Sequence, residues 1–577
     1  MRSLRSTLAL ITLLAAATAV ACGTETVVVK ASPGAEPSGE PAWWSAQGEM
    51  LGDLPKAKGS FSKRFLDAQE CAFCHATDPA SPALKDAKGR DVSPYNMWKA
   101  TMMGMSTRDP YYLAAFRHEL DSHPAATKTI EATCTRCHAP MGSVERADVG
   151  SEVHYADLLA GDANDSVLAR EGVSCTLCHQ IKPDNLGKPE SFTGGFVVGD
   201  ERKIFGPHES PLVVPMQNHV NYTPTHAPHM ETSELCATCH TVITRALDAA
   251  GNPVGPDFPE QTPYLEWLSS IYADASSTTG RTCQSCHMPA LDDDEQPIDA
   301  PLAMRPPGMK ARRLKGRHLF RGGNTFMLRL LADNVAWSGT VASAQELTQQ
   351  AERDEAMLGR AGSVRITDVA REGDALVVRV SVSNESGHKL PTGFPSRRAW
   401  VHLTVTAPDG NVVFESGRLD AYGRIVDKAG RALDDRGTIM PHRDVISSDT
   451  EVQVYEAVMA DATGAVAKTL FDATHFAKDN RLLPRGFRAD APSAAMIRPV
   501  GVDGDADFGS SDGITYRVAG APAGSSVAAE LVYQSVRPSE LDGLAELPNP
   551  AAIRFFEMVK AAKKRATVVS RAEGSAP

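Results

Sequence analysis

The sequence predicts an α+β protein in two unlike parts: a mostly helical and looped N-terminal domain, then an antiparallel β-sandwich of the immunoglobulin-like kind. Three observations carry this. Between residues 61 and 340, helical spacing occurs only in short stretches such as "YNMWKATMMGM" and "PYYLAAFRHEL", parted by loops such as "QIKPDNLGKPESFTGG". Beyond residue 362 the apolar positions switch to period two, in "ALVVRVSVSN", "AWVHLTVTAPDGNVVFESG", "TEVQVYEAVM" and "SSVAAELVYQSV", broken by turns such as "PDGN". Only 6% of the 577 residues are aromatic, which is thin for a core made of protein alone. Something other than side chains is expected to fill part of the interior.

Taken in order, residues 1–21 read as a secretory signal: Arg2 and Arg5, an apolar stretch over 8–20, then small residues. Cys22 stands at the cleavage boundary, where a bacterial lipoprotein carries its lipidated cysteine. Leucine is usual three residues earlier and this chain has Ala19, so ordinary cleavage leaving a free thiol is the competing reading; an unpaired exported cysteine otherwise lacks a reason. Residues 22–60, rich in Pro, Gly and Ser, read as a flexible tether. Residues 61–340 form the first domain, and "SAQELTQQAERDEAMLGRA" within 341–362 a connecting helix. The β-sandwich is expected over 363–545. A helix from "NPAAIRFFEMVKAAKKRA" and a frayed tail ending in "EGSAP" complete 546–577.

Composition narrows the function classes. The chain is 42% hydrophobic and 23% charged, and its one long apolar run is N-terminal, which excludes a polytopic membrane protein and leaves the membrane to a lipid anchor alone. A net charge of −12 argues against nucleic-acid partners.

The cysteines carry the chemistry. Ten of eleven form five pairs, each followed at once by histidine: Cys71, Cys74 and His75; Cys134, Cys137 and His138; Cys175, Cys178 and His179; Cys236, Cys239 and His240; Cys283, Cys286 and His287. With 17 histidines in the chain, five such coincidences have a chance probability on the order of 10⁻⁸, and CxxCH is the attachment signature of c-type haem. Two thiols spaced by two residues each add to one vinyl group, and the next residue reaches the iron. Structural zinc would not require the following histidine, and five redox disulfides in one chain would be odd. The motif starts are 63, 41, 61 and 47 residues apart, so no regular repeat organises them.

Five covalent haems (iron) are therefore expected, with the five motif histidines as proximal ligands. Distal candidates are His118, His219, His229, His318 and His388, with His208, His226, His154 and His442 as substitutes. His318 precedes two glycines in "GRHLFRGGN", and His388 sits in the stiff turn "SGHKLPTGFP" after a strand. Arg397 and Arg398 follow as candidate partners of haem propionates. Met102, Met103 and Met105 read as core, and His402, between Val401 and Leu403, as a strand residue.

"EGVSCTLCHQI", "SELCATCH" and "CQSCHMP" resemble the multihaem c-type cytochromes of the cytochrome c-552/4 type. "GHKLPTGFPSRRAWVHL", "VQVYEAVM" and "KDNRLLPRGF" are similar to a β-domain behind the haems of some exported members. The resemblance, over about residues 60–540, implies mostly bis-histidine ligation and a ligand role for His388. The chain departs from the pentahaem ammonia-forming nitrite reductases, whose active haem uses CxxCK: all five motifs here end in histidine. The expected function is an exported electron carrier, in the periplasm or on the cell surface, serving redox partner proteins or other cytochromes. The alternatives are an oxidoreductase with one open-faced haem acting on a small nitrogen or sulfur species, and a subunit of a conductive haem filament.

Overall fold

The structure, a computed structural model, describes residues 39–577. The signal segment and Cys22 lie outside them. Residues 61–340 hold the predicted short helices and long loops. Its strands are confined to small ladders, such as the parallel pair Lys203–Gly206 and Thr223–His226 and the hairpin Val242–Leu247 with Pro253–Gln261. The expected connecting helix runs Ala344–Leu358. Ser343 caps it by accepting from Glu346 N, and the Glu346 carboxylate accepts from Ser343 N in return. Its buried face, Leu347, Ala351 and Leu358, recurs at helical spacing.

The β-domain begins with strands β1 (Gly362–Glu372), β2 (Ala375–Asn384), β3 (Arg398–Thr406) and β4 (Val412–Ser416). It continues through β5 (Val445–Ile446), β6 (Val454–Ala460), β7 (His475–Asp479), β8 (Ser511–Ala519), β9 (Ser526–Gln534) and β10 (Thr567–Ser575). One sheet has the order β7-β6-β3-β9-β10, with β4 sharing an edge of β3; the other has the order β5-β8-β2-β1. Alternate residues of both, among them Val378, Val380, Val401, Leu403, Ile514 and Leu531, are buried in one shared core, as period-two patterning demands.

Three expectations fail at the edges. The tether is not loose throughout: residues 42–45 form a helical turn, and Trp43 is fully buried, its ring 6.2 Å from that of Phe556. Indole burial outweighs the local Pro and Gly content. The tail is not frayed: Thr567–Ser575 pairs antiparallel with β9, and Ala576 is buried. Tertiary pairing overrides its loop-like composition. The β-fold therefore extends past 545, around the helices Pro538–Glu546 and Pro550–Ala561.

His402 behaves as a strand residue. Its Nδ1 faces Glu530 Oε2 at 3.2 Å on the paired strand, and its Nε2 faces Glu415 Oε1 at 3.0 Å. Burial opposes its charge, but the two carboxylates prevail and raise its pKa to about 9. A raised folded-state pKa stabilises fully below the unfolded value near 6.5, and the benefit is lost as pH rises through 9. His402→Gln is expected to cost about 3 kcal/mol at pH 6 and far less at pH 10. Urea melts of both proteins across that range check it, and a pH-independent difference would refute the pairing.

Candidate functional site

Each CxxCH motif lies on or at the end of a helical turn, which puts the two thiols and the imidazole on one face. The turns are Ala68–His75, Thr127–His138, Cys175–Cys178, Ser233–Ala237 and Cys283–His287. Asp67 caps the first by accepting from Gln69 N at 2.9 Å, and Thr282 caps the last by accepting from Ser285 N. None of the ten motif cysteines is joined in a disulfide.

All ten cysteines and all five motif histidines line one continuous cavity of about 2880 Å³. That is roughly three to ten times the volume of an ordinary small-molecule site. The motifs adjoin in a definite order. The thiols of Cys71 and Cys175, of Cys137 and Cys239, and of Cys236 and Cys283 lie close enough to shift one another's acidity. Cys178 lies close enough to Cys236 and Cys239 to act on them electrostatically. The fourth motif thus touches the second and fifth and adjoins the third, which touches the first.

Four motif imidazoles are oriented by backbone carbonyls on Nδ1: His75 by Leu302 O at 3.0 Å, His138 by Ser106 O at 3.1 Å, His179 by Phe205 O at 2.6 Å, and His287 by Arg321 O. A nitrogen facing a carbonyl must donate, so the proton sits on Nδ1 and Nε2 is left bare toward the cavity. Burial pushes all five below the usual histidine range, His138 and His287 to about 4, so the neutral, metal-binding form prevails. His240 has no carbonyl on Nδ1 among the described residues. The Tyr112 ring stacks on His138 at 3.9 Å with an interplanar angle of 2°, fixing that imidazole plane.

Two further histidines stand opposite motif histidines. His318 faces His179 with ring centroids 6.1 Å apart and planes at 23°; His388 faces His287 at 6.2 Å and 25°. An imidazole nitrogen binds a first-row metal at about 2.0 Å, so two rings on opposite sides of one ion have centroids about 6 Å apart. These rings are too far apart to stack on each other. They stand at the spacing of two axial ligands with an ion between them.

The other candidates are placed differently. His219 lies at the cavity wall, stacked at 4.4 Å on Phe73 of the first motif, and His208 also lines the cavity. His229 spends its Nε2 on Ile181 O at 2.9 Å, outside the cavity lining. His118 does not reach the cavity either: it is buried on the helix Pro110–Ser122, facing the Leu547 backbone near the C-terminal helices. His154 pairs with Glu131 at 2.7 Å. Arg397 lines the cavity, bonded to Thr392 O at 2.6 Å and Asn324 Oδ1 at 3.0 Å. Arg398 does not; it is buried in the β-domain with Asp434 and Gln534, on the opposite side of the chain from its neighbour.

Sequence reasoning missed a cationic wall. Arg317, Arg321, Arg353 and Arg360 all line the cavity, and Arg317 Nε and Arg321 Nε are buried without a hydrogen-bond partner. Burial, with Arg360 and Arg317 close by, pushes the Arg321 pKa down. Arg317 also pairs with Asp293 at 2.7 Å, and the buried Nε groups left over on this wall fit the propionates of a haem. The signal was present in the basic run "KGRHLFRGG" around His318.

His388 is held from both halves of the chain. Asn384 Nδ2 donates to its carbonyl at 2.7 Å, and Ser386 Oγ donates to the same oxygen at 2.9 Å. The next residue, Lys389, is fully buried. Its N donates to Glu266 Oε2 at 3.0 Å, on the helix Pro263–Leu268 between the fourth and fifth motifs, and its Nζ to Asp479 at 2.6 Å. Arg481 clamps Asp479 through two bonds of 2.7 Å and reaches Glu266 at 3.4 Å.

No family model matches the chain, and no curated protein does. Among solved structures the chain is similar to a penta-heme cytochrome c552 from Thermochromatium tepidum, with 18% identity over 89% of this chain and 99% of that one, at a TM-score of 0.49. A likeness of that strength does not bear on function.

Proposed function

We propose that the protein is a multihaem c-type cytochrome that holds five covalent haems in the shared cavity and passes electrons between redox partner proteins. The observation that carries it is the pair of facing imidazoles, His179 with His318 and His287 with His388, at the spacing of two axial ligands on one iron. The ten thiols and the arginine wall would hold the vinyl and propionate edges. The neighbouring thiols support a branched chain, first to third to fourth, with the second and fifth both next to the fourth. Each motif has its distinct neighbours, as stepwise electron transfer requires. His219 is the candidate second ligand at the first haem, beside Phe73. Export, a lipid on Cys22, a place in the periplasm or on the cell surface, membership of the c-552/4 group and an immunoglobulin-like β-domain belong to the same reading.

Pyridine haemochrome on the purified, fully matured protein is expected to give five haems per chain, and fewer than four would overturn the assignment. Cys22→Ser is expected to move the protein from the membrane to the soluble fraction.

One observation favours a second reading. Among the described residues neither His138 nor His240 faces a second imidazole, but His138 is stacked on Tyr112, whereas at His240 burial and the nearby Arg397 cation depress the pKa. An open iron face beside a guanidinium suits a small anionic nitrogen or sulfur species. A high-spin signal in the oxidised wild-type protein would favour this reading over the carrier.

A further inference from the structure

A separate group of donors lies in the β-domain, away from the cavity. His442, Asp505 and Asp512 offer ligand-capable atoms all within 4.8 Å of one another. Asp444 joins them, its carboxylate 3.6 Å from His442 Nε2, and the Asp507 carboxylate lies against that of Asp505. In "DGDADFGSSD", residues 503–512, acidic side chains alternate along the loop that leads into β8. Among the described residues, no lysine or arginine forms an ion pair with Asp444, Asp505, Asp507 or Asp512; His442 is the imidazole beside them. Crowding shows in their acidities. Burial and the neighbouring carboxylates raise Asp444, and Asp512 is pushed up to about 7.

Hydrogen bonds fix what His442 does there. Its Nδ1 receives Gln453 Nε2 at 2.7 Å and Asn480 Nδ2 at 3.0 Å. Both amides are oriented by the backbone: Gln453 Oε1 accepts from Arg443 N at 2.8 Å, and Asn480 Oδ1 from Glu456 N at 3.1 Å. Nδ1 is therefore an acceptor. The ring proton sits on Nε2 and is donated to Asp505 Oδ2 at 2.8 Å. His442 braces a carboxylate and has no lone pair left for a metal.

Asp512 shows what is missing. Its Oδ2 accepts from Tyr455 Oη at 2.6 Å and Gln453 Nε2 at 3.0 Å, while Oδ1 is buried with no hydrogen-bond partner, on a residue 1% exposed. That carboxyl faces Asp505. Gly513 leaves room for the neighbouring acid, since a Cβ there would sit 2.6 Å from Asp507 Oδ2. A buried, unpaired carboxylate oxygen on a group that lies beside another carboxylate is costly unless a cation joins them.

We propose that Asp444, Asp505, Asp507 and Asp512 form an oxygen-ligated site for a hard divalent cation of the Ca²⁺ class, with His442 bracing Asp505 from outside. The donor set is carboxylate throughout, which suits Ca²⁺ over Zn²⁺, and the supporting hydrogen bond from an imidazole is of the kind that orients ligating carboxylates. A bound ion would tie the 503–509 loop to β8 and to the segment before β5.

The full-length, haem-loaded protein tests this. Elemental analysis of the native protein is expected to show one calcium per chain, separate from the iron. After chelation, CaCl₂ titrated by calorimetry is expected to bind at one site and to raise the melting temperature. Asp512→Asn, which keeps shape and removes charge, is expected to weaken Ca²⁺ binding at least tenfold with the haem absorption unchanged. Asp507→Asn, at the exposed rim, gives the same readout if Asp512→Asn fails to fold. Absence of bound calcium together with no response of the melting temperature to CaCl₂ would overturn the proposal. So would tight ZnCl₂ binding with CaCl₂ silent, or unchanged Ca²⁺ affinity in a folded variant.

Discussion

His388→Ala is expected to leave the haem count unchanged while converting one low-spin haem to high spin, open to cyanide and carbon monoxide. Attachment depends on Cys283 and Cys286, which the substitution leaves alone, and the His287 imidazole stays oriented by Arg321 O. What goes is the ring 6.2 Å away, on the far side of where the proposed iron would sit. Loss of the sixth ligand changes spin state outright, so the signature is a large high-spin EPR signal and not a small spectral shift. A variant with wild-type absorption and EPR spectra would show that another residue holds that iron. Because His388 comes from the β-domain and His287 from the N-terminal half, the substitution is also expected to loosen the two halves. Limited proteolysis between residues 340 and 362 is expected to quicken.

The second large effect concerns the support behind that ligand. Asp479→Ala removes the carboxylate from Lys389, which is fully buried, and from Arg481, and the expected cost is about 3–5 kcal/mol. Most of it comes from the stranded Lys389 cation, since Glu266 still faces Arg481 at 3.4 Å. Adding Lys389→Met to Asp479→Leu is therefore expected to recover much of the loss, because an apolar pair of similar size needs no counter-charge. Equal destabilisation of single and double variants in urea melts would show that the pair does not act as argued. Arg481 and Lys389 hold the Asp479 pKa down to about 2 against the opposing effect of burial, so this contribution is fully present above the unfolded value near 3.8 and is lost progressively as pH falls from there through 2.

How much of this the sequence disclosed follows from the range over which each feature is determined. The five motifs were legible because attachment chemistry demands a local spacing that cannot drift. The second imidazoles are set by tertiary structure. His318 and His388 could be picked out only because glycine and proline frame them, whereas His118, equally plausible by composition, turned out to sit on the wrong face of its helix. His229 looked well placed in a histidine-dense stretch, but nothing local announces that Ile181 O takes its Nε2. Arg397 and Arg398 were read as a pair, yet neighbours on a strand point to opposite faces. The alternation in β2, β3, β4, β6 and β9 is strong enough to point to sheets, but β1, β5, β7 and β8 are not legible that way, and Thr567–Ser575 is a strand defined by its partner instead of by its own pattern. The Lys389–Asp479–Arg481–Glu266 network was invisible for the same reason: Glu266 and Asp479 lie 213 residues apart in the chain.

The pairing of Thr567–Ser575 with β9, and the seating of Trp43 against the helix Pro550–Ala561, bear on the order in which the molecule can be completed. The outermost strand of the larger sheet is synthesised after every other strand in it, and the pocket for Trp43 is built from residues that follow it by most of the described chain. Until those later residues arrive, the β9 edge offers unpaired backbone to any passing strand and the Trp43 indole has nowhere to go. Contacts of such long sequence separation form late and slowly. A nascent or prematurely terminated chain ending before residue 567 would carry all five attachment motifs and still expose a sticky margin. For such a chain, quality control would be decided at that margin, far from the five CxxCH motifs.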